Sequence, residues 1–447
     1  MHRPIDTTSW HLSDWLSFYE KLHPVGIDMG LDRTAKVWQT LRQRHHIERI
    51  ATQCIITVAG TNGKGSTCQM LADCFAGQLN QVGKYTSPHI TVFNERIQIN
   101  NNPVSDQLII EQFQRIESAR GDITLSYFEA TTLAALLVFF FEQVECAILE
   151  VGLGGRLDAV NIIDADAVII TSIGVDHAEY LGENVVGIAL EKAGVCRPNR
   201  PLVFAQTDIY PELIEYTQKQ AIPLKANGID YQITNQITNQ ITNQITNQTL
   251  NQAVHLPNKS YPIPANLAEL GAKQIDNAAA VITLLDWIGY LPEDYTDALA
   301  QFALAGRLQK IAQAPDIIID VAHNADAANN LRRIIAQHRH RYSQCYAVIG
   351  MLADKDHAQV FAALDGCFDR VFLGDTPGTR GLSAKALAAI AAPYLTCPMA
   401  SYTDLTAALA AAKAMATPDD VIYAFGSFTV ASALMGHPDA CPNSSSP

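Results

Sequence analysis

The sequence predicts an α/β protein of two domains, each organised around a mainly parallel sheet. Three observations carry this expectation. Apolar, β-branched runs recur at 54–59, 84–86, 147–151, 167–172 and 202–205, with helix-like stretches between most of them. A second series at 317–321, 346–349, 371–373 and 421–424 alternates with alanine-rich helical stretches. The first run of the first series passes into a glycine-rich loop and then a stretch with Met70, Leu71, Cys74 and Phe75 at helical spacing.

Taken in chain order, residues 10–47 read as helical, with a loop at 23–28. The loop after 54–59 is Gly60-Thr61-Asn62-Gly63-Lys64-Gly65-Ser66-Thr67. Strand, glycine loop and helix together make a phosphate cradle. Glycines let backbone N–H groups turn toward phosphate oxygens, and the helix start adds its positive dipole end. Lys64 brings a point charge for the β- and γ-phosphates, and the hydroxyl of Ser66 or Thr67 can reach Mg²⁺. Gly65 separates the lysine from Ser66, so the loop departs from the usual Walker A spacing. The competing reading is an ordinary glycine turn between a strand and a helix. The first domain is thus expected to be a P-loop-type, mainly parallel-sheet ATPase domain.

The longest apolar run, 133–141, is too short to span a bilayer and suits a buried helix. The run from Cys146 ends in the carboxylate of Glu150, followed by Gly152-Leu153-Gly154-Gly155-Arg156-Leu157-Asp158. An acid at a strand end beside a phosphate loop is a usual place for a Mg²⁺ ligand, although an isolated strand-terminal Glu more often faces water. The next apolar run delivers Thr171, Ser172, Asp176 and His177 to the same sheet edge, where His177 can ligate a metal and Asp176 can orient it. From the residues alone, Lys192 reads as a solvated lysine.

Residues 233–248 are four tandem copies of Ile-Thr-Asn-Gln. The period is too short for a solenoid unit, so the segment is expected to be an expanded surface loop, with a self-associating or partner-binding β segment as the alternative. A helix is expected over 277–288. A second α/β unit starts near Gly306 and Arg307 and reads as a smaller, Rossmann-like domain. In it, Asp320, His323 and Asn324 follow a strand; such a cluster can read nucleotide hydroxyls or phosphate, or simply cap the next helix. The expected boundaries are 1–304 and 305–436, with a disordered tail at 437–447.

With 447 residues, 48% of them hydrophobic, the chain can bury sizeable cores. The net charge of −14 argues against a nonspecific nucleic-acid partner or an anionic membrane surface. The nine cysteines are scattered without a CxxC pair, as expected of free thiols in a reducing compartment. The first residues lack the apolar core of a signal peptide. A cytoplasmic location is expected. From residues alone the reading stops at an ATP- and Mg²⁺-using enzyme of two domains. Activating a carboxylate, moving a phosphoryl group and driving a conformational cycle all fit.

Specific motifs carry the reading further. They are Val58–Ser66, Tyr85-Thr86-Ser87-Pro88-His89, Leu149–Ala159, Thr171–His177 and Asp320-Val321-Ala322-His323-Asn324. With them the chain resembles the bacterial bifunctional dihydrofolate synthases/folylpolyglutamate synthases, relatives of the muramyl ligases, over about residues 15–434. The resemblance implies that Thr61, Asn62, Gly63, Lys64, Gly65 and Ser66 hold ATP, with Asn277 and, from the second domain, Arg307 and Asp320. It implies that Ser87, Glu150 and His177 bind two Mg²⁺ ions, and that Lys192 is carbamylated and helps organise the metals. Lys64, His177 and Lys192 are then the catalytic set. Ile27, Asp28 and Met29, with Ser126, Tyr127, Phe128 and Glu129 and with Leu157, Asp158 and Ala159, match a pterin site. The implied substrates are dihydropteroate, tetrahydrofolate and L-glutamate, joined through an acyl phosphate by a monomeric enzyme. The Ile-Thr-Asn-Gln expansion is the main departure from the family pattern. The alternatives are an enzyme acting on folates only, a muramyl-type ligase and an ATP-switched binding module.

Overall fold

The structure, a computed structural model, describes residues 7, 9–25, 28–242, 245–378 and 380–436. Ile27 and the tail 437–447 therefore lie outside the described residues. The chain divides into two compact units. The first comprises Met1–Pro88, Asn94–Ala265 and Ile275–Phe302; the second comprises His89–Phe93, Asn266–Gln274 and Ala303–Pro447. The second unit thus takes in two segments that sequence order places within the expected first domain.

The sheet of the first unit contains β1 (Cys54–Ala59), β2 (Val82–Tyr85), β3 (Ile97–Ile99), β4 (Asn102–Pro103), β5 (Cys146–Glu150), β6 (Ala167–Ile170), β7 (Leu202–Phe204) and β8 (Leu224–Ala226). Its order is β4-β3-β2-β5-β1-β6-β7-β8. The strands from β2 to β8 in this order run parallel, and only β3 and β4 are antiparallel to their neighbours. Every residue of β1, β5 and β6 is buried, as continuous apolar strands covered on both faces require. The register sets Val58 beside Glu150 and Ala59 beside Ile170, so the ends of three strands, and the loops after them, meet at one edge.

The N-terminal part forms helices Leu12–Leu22 and Asp32–His45, and the apolar run 133–141 lies within helix Tyr127–Phe141. That helix is buried from Glu129 to Phe139. An apolar surface all round suits a helix with neighbours on every side.

The repeat is not a loop. It runs through β9 (Gln232–Thr242) and β10 (Ile245–Leu256), which with β11 (Lys259–Ile263) form an antiparallel sheet of order β11-β10-β9. Residues 243 and 244 lie outside the described residues. Composition explains the correction: half of each repeat is β-branched Ile or Thr, which favours extended backbone. A period of four is also twice the strand period, so every copy keeps the same alternation. The register pairs Ile241 with Thr246 and Gln240 with Asn247.

The second unit is built on β12 (Gln309–Ala312), β13 (Asp316–Ile319), β14 (Cys345–Ile349), β15 (Arg370–Gly374), β16 (Met399–Tyr402) and β17 (Val421–Phe425). The order is β12-β13-β17-β14-β15-β16, parallel except for β12. Alternate residues of β14 feed two cores. Cys345, Ala347 and Ile349 join one, and Tyr346 and Val348 join the other. Among the described residues no helix is long and apolar enough to cross a membrane.

Candidate active site

The glycine loop leaves β1 and enters helix Lys64–Phe75 through Gly63, whose φ of 90° favours glycine. Space also requires glycine here. A Cβ on Gly60 would collide with Thr171 Oγ1, and one on Gly63 would lie 2.8 Å from Asn277 Oδ1. The loop is fastened to the segment after β6. Thr171 Oγ1 donates to Asn62 O at 2.6 Å, Asn62 N donates to Ser172 Oγ at 2.9 Å, and Thr61 Oγ1 donates to Gly174 O at 3.0 Å. Lys64 Nζ donates to Gly60 O at 3.0 Å and Thr61 O at 3.3 Å, folding its charge over the loop. Gly65 follows it in the first helical turn, partly exposed, and Ser66 and Thr67 are buried there. Thr67 Oγ1 has no hydrogen-bond partner among the described residues.

Glu150 closes β5 at 5% exposure, and Ser87 N donates to its Oε2 at 3.1 Å. His177 precedes the short helix Ala178–Leu181 in left-handed backbone, its N–H bound to Asp176 Oδ1 at 2.9 Å. Lys192 corrects its sequence-only reading as a solvated side chain: it is 4% exposed. Burial, and then the charge of nearby Lys64, depress its ammonium to about 7. Gly155 explains how it comes to be held so close to the loop after β5. A Cβ there would lie 2.7 Å from Glu191 O and 2.8 Å from Lys192 Cα. Arg156 fastens the same contact, N to Glu191 O and Nε to Glu191 Oε2, both at 2.9 Å.

Of the third group of predicted residues, Phe128, Met29 and Asp158 meet at the loop after β5. The Phe128 ring fills the space over Gly152, where a Cβ would lie 2.5 Å from its Cζ. Arg96 lies over the Tyr127 ring at 5.5 Å. Met29 Cε reaches the space beside Gly154. Asp158 is buried and accepts from Leu153 N at 2.8 Å and Val160 N at 3.0 Å. Burial pushes its carboxyl up to about 6. Leu157 is half-buried and Ala159 buried on either side of it. Ser126 and Glu129 close a capping box at the start of helix Tyr127–Phe141: Ser126 N donates to Glu129 Oε2 at 2.7 Å and Glu129 N to Ser126 Oγ at 3.3 Å.

Comparison with known proteins decides what this arrangement belongs to. Residues 58–285 match the Mur ligase middle domain, and residues 306–428 match the Mur ligase glutamate ligase domain. The dihydrofolate synthase/folylpolyglutamate synthase of Escherichia coli (strain K12) is 34% identical over 434 residues, 96% of either chain. That of Haemophilus influenzae is 34% identical over 440 residues, covering 93% of this chain and 95% of its own. This chain belongs to the dihydrofolate synthase/folylpolyglutamate synthase family. Among solved structures, E. coli FolC in complex with DHPP and ADP matches with a TM-score of 0.85 at 33% identity, over 96% of this chain and 97% of that one. The Yersinia pestis bifunctional synthase complexed with AMPPNP and Mn ion matches with a TM-score of 0.83 at 33% identity, over 97% and 99%.

For a synthase of this family the donor set is chemically suited to a divalent cation. No group of three or more His, Cys, Asp or Glu that could hold a metal gathers among the described residues. Mg²⁺ does not need one, because it keeps several waters and takes one or two carboxylates with phosphate oxygens. Glu150, bound by Ser87 N, and the buried, unpartnered Thr67 Oγ1 at the loop offer oxygens of that kind.

In the second unit, Asp320 follows β13. It accepts from Leu308 N at 3.1 Å and Ala322 N at 2.8 Å. Burial raises its carboxyl, with Arg307 opposing. The Arg307 guanidinium lies 5.3 Å over the Phe428 ring. Asn324 caps helix Ala325–His338 by accepting from Ala327 N, the structural alternative for that residue. Sequence reasoning missed Arg33 and Thr34, which both donate to Glu129. The Ser-x-x-Glu pattern at 126–129 was the available signal that Glu129 is built into the frame.

Proposed function

We propose that the chain joins L-glutamate to dihydropteroate, giving dihydrofolate, and extends tetrahydrofolate and folylpolyglutamates in the same way. It is an ATP-dependent ligase forming C–N bonds. The observation that carries the reading is the phosphate loop, with Lys64 folded over it and Glu150 one strand away, in a chain that matches these synthases almost end to end. A bifunctional folylpolyglutamate synthase/dihydrofolate synthase, 32% identical to this chain, has been solved with Mn, AMPPNP and L-glutamate bound, which supports a divalent metal and glutamate here.

In this reading the substrate carboxylate attacks the γ-phosphorus of ATP, ADP leaves, and an acyl phosphate forms. The amine of glutamate attacks the acyl carbon, loses a proton, and phosphate leaves as the amide forms. Backbone N–H groups from Thr61 to Ser66 and the Lys64 ammonium hold the phosphates and stabilise charge on the transferring group. Ser87, Glu150 and His177, with Lys192 as a carbamate, would hold two Mg²⁺ ions, which supply further charge stabilisation when bound. A depressed Lys192 supports carbamylation, because the neutral amine is the form that takes up CO₂. Asn277, Arg307 and Asp320 are read as nucleotide contacts. Asp28, Met29, Tyr127, Phe128 and the Leu157–Ala159 segment are read as the pterin site, whose aromatic pair suits a flat heterocycle. The enzyme is read as a cytoplasmic monomer, and the eight cysteines among the described residues, all free and six of them buried, support a reducing compartment.

Phosphate release should be measured with ATP, L-glutamate and dihydropteroate, omitting each in turn, and the amide product followed chromatographically. Release should need all three. Release that proceeds without glutamate and yields no amide would overturn the ligase reading in favour of an ATP-switched module. Rates on dihydropteroate and tetrahydrofolate, compared side by side, test the dual substrate range.

A further inference from the structure

His23 and the 28–34 segment are tied to residues at the start of helix Tyr127–Phe141 by polar contacts that converge on two carboxylates. Arg33 spans both. Its Nη1 donates to Asp28 Oδ2 at 2.6 Å, and its Nη2 donates to Glu129 Oε1 at 3.1 Å. Thr34 Oγ1 donates to the same Glu129 oxygen at 2.8 Å. His23 holds the other end, with Nε2 3.0 Å from Asp28 Oδ2 and Nδ1 2.8 Å from Thr124 Oγ1. A carboxylate only accepts, so Nε2 carries the proton in the first contact. The Asp28 carboxyl is held below its usual range, first by the His23 hydrogen bond. Glu129 is 3% exposed and is also bound by Ser126 N, so its charge is already committed to the frame.

In the chain, these contacts flank the aromatic pair. Tyr127 and Phe128 sit between the capping residues Ser126 and Glu129, and Met29 follows Asp28 directly. The planar guanidinium has donors in a fixed fork, which lets one side chain set the spacing of two acids; a lysine ammonium is a point charge and does not. We propose that Arg33 is a positioning residue for the heterocyclic substrate, clamping Asp28 and the 28–30 loop against Glu129 so that Met29, Tyr127 and Phe128 form a fixed slot. The proposal rests on the reading that the pterin ring binds at Tyr127–Phe128. Arg33 acts through these neighbours and needs no contact with the reacting atoms.

The test is steady-state kinetics of Arg33→Met, Arg33→Lys and Phe128→Ala, with dihydropteroate, ATP and L-glutamate each varied at saturation of the others. Arg33→Met should raise the KM for dihydropteroate roughly tenfold or more and leave those for ATP and glutamate within about twofold. Arg33→Lys keeps a charge between the acids, so it stays folded if the methionine variant does not, and it should recover only part of the loss. A dihydropteroate KM unchanged in a folded Arg33 variant, with Phe128→Ala raised, overturns the clamp alone. Unchanged values in Phe128→Ala and the Arg33 variants overturn the binding-site reading as well. An equal rise in all three KM values overturns the clamp in favour of a general structural role.

Discussion

Lys64 and Lys192 are neighbouring lysines with opposite settings. Lys64 is partly exposed and bonds only to the carbonyls of its own loop among the contacts described, so folding depends on it little. Lys64→Ala should leave the melting temperature within about 2 °C of wild type and reduce ligation at least about a hundredfold, on the scale of losing one preorganised charge contact. Near-normal turnover at saturating ATP would refute its role on phosphates. Lys192 is buried, and its amine titrates near 7 instead of 10.5. Between those values the unfolded chain holds the extra proton, so stability rises with pH across the window. The cost of burying the charge, roughly 5 kcal/mol, is present in full below pH 7 and fades toward 10.5. In metal-free, CO₂-free buffer, Lys192→Met should therefore be more stable than wild type at about pH 6.5, and its advantage should shrink by roughly 3 kcal/mol by about pH 9. Urea unfolding at the two pH values measures it, and a pH-independent difference would show that the lysine is not buried as a neutral amine. None of this setting was legible from Glu191-Lys192-Ala193, because burial of a lysine is decided by the distant loop that packs on it.

At the scale of elements, the Gly155 contact transmits that packing. Gly155→Ala places a methyl against Glu191 O and Lys192 Cα, which are helix backbone and cannot rotate away. The helix Val185–Ala193 must shift. We expect a destabilisation of about 1–3 kcal/mol, as for other overpacked sites, and a larger fractional loss of activity than of folded protein. Circular dichroism beside an activity assay separates the two. The repeat hairpin should behave oppositely. Deleting residues 238–241 together with 246–249 removes four paired rows and preserves register and alternation. Turnover should stay within about twofold and the melting temperature within about 3 °C, since loop-closure cost varies slowly with chain length. A change in oligomeric state on size-exclusion chromatography would show that the hairpin serves association. The phosphate loop, the strands around it and the buried 133–141 helix were legible because local pattern dictates them. The hairpin was misread because low complexity was weighed above β-branching. Short edge strands such as β4, β8 and β16 have too few residues for a period to show.

At the scale of the whole chain, the two parallel sheets followed from alternation, but the membership of each unit did not, because it depends on contacts far apart in sequence. Ile90 is the sharpest case. It lies just after the Ser87-Pro88 bend of the first unit, yet it is buried in the second unit's core with Ile319, Val321 and Ala431. Gly306 has no room for a Cβ partly because Ile90 Cδ1 would lie 2.9 Å away. The residue that follows the Tyr85–His89 motif thus packs in a core more than two hundred residues downstream. Ile90→Ala should cost about 2–4 kcal/mol through lost burial and the cavity left behind. The loss should fall on the second unit. All four tryptophans, Trp10, Trp15, Trp38 and Trp287, belong to the first unit, so their fluorescence reports it alone. Hydrogen exchange of β13 and β17 reports the other. Ile90→Ala should speed exchange in those strands while the tryptophan midpoint in urea stays within error. Val92→Ala, at a side chain 51% exposed on the same segment, should change neither. A tryptophan midpoint that falls as far as the protection of β13 and β17 would show that Ile90 serves both cores as one cooperative unit.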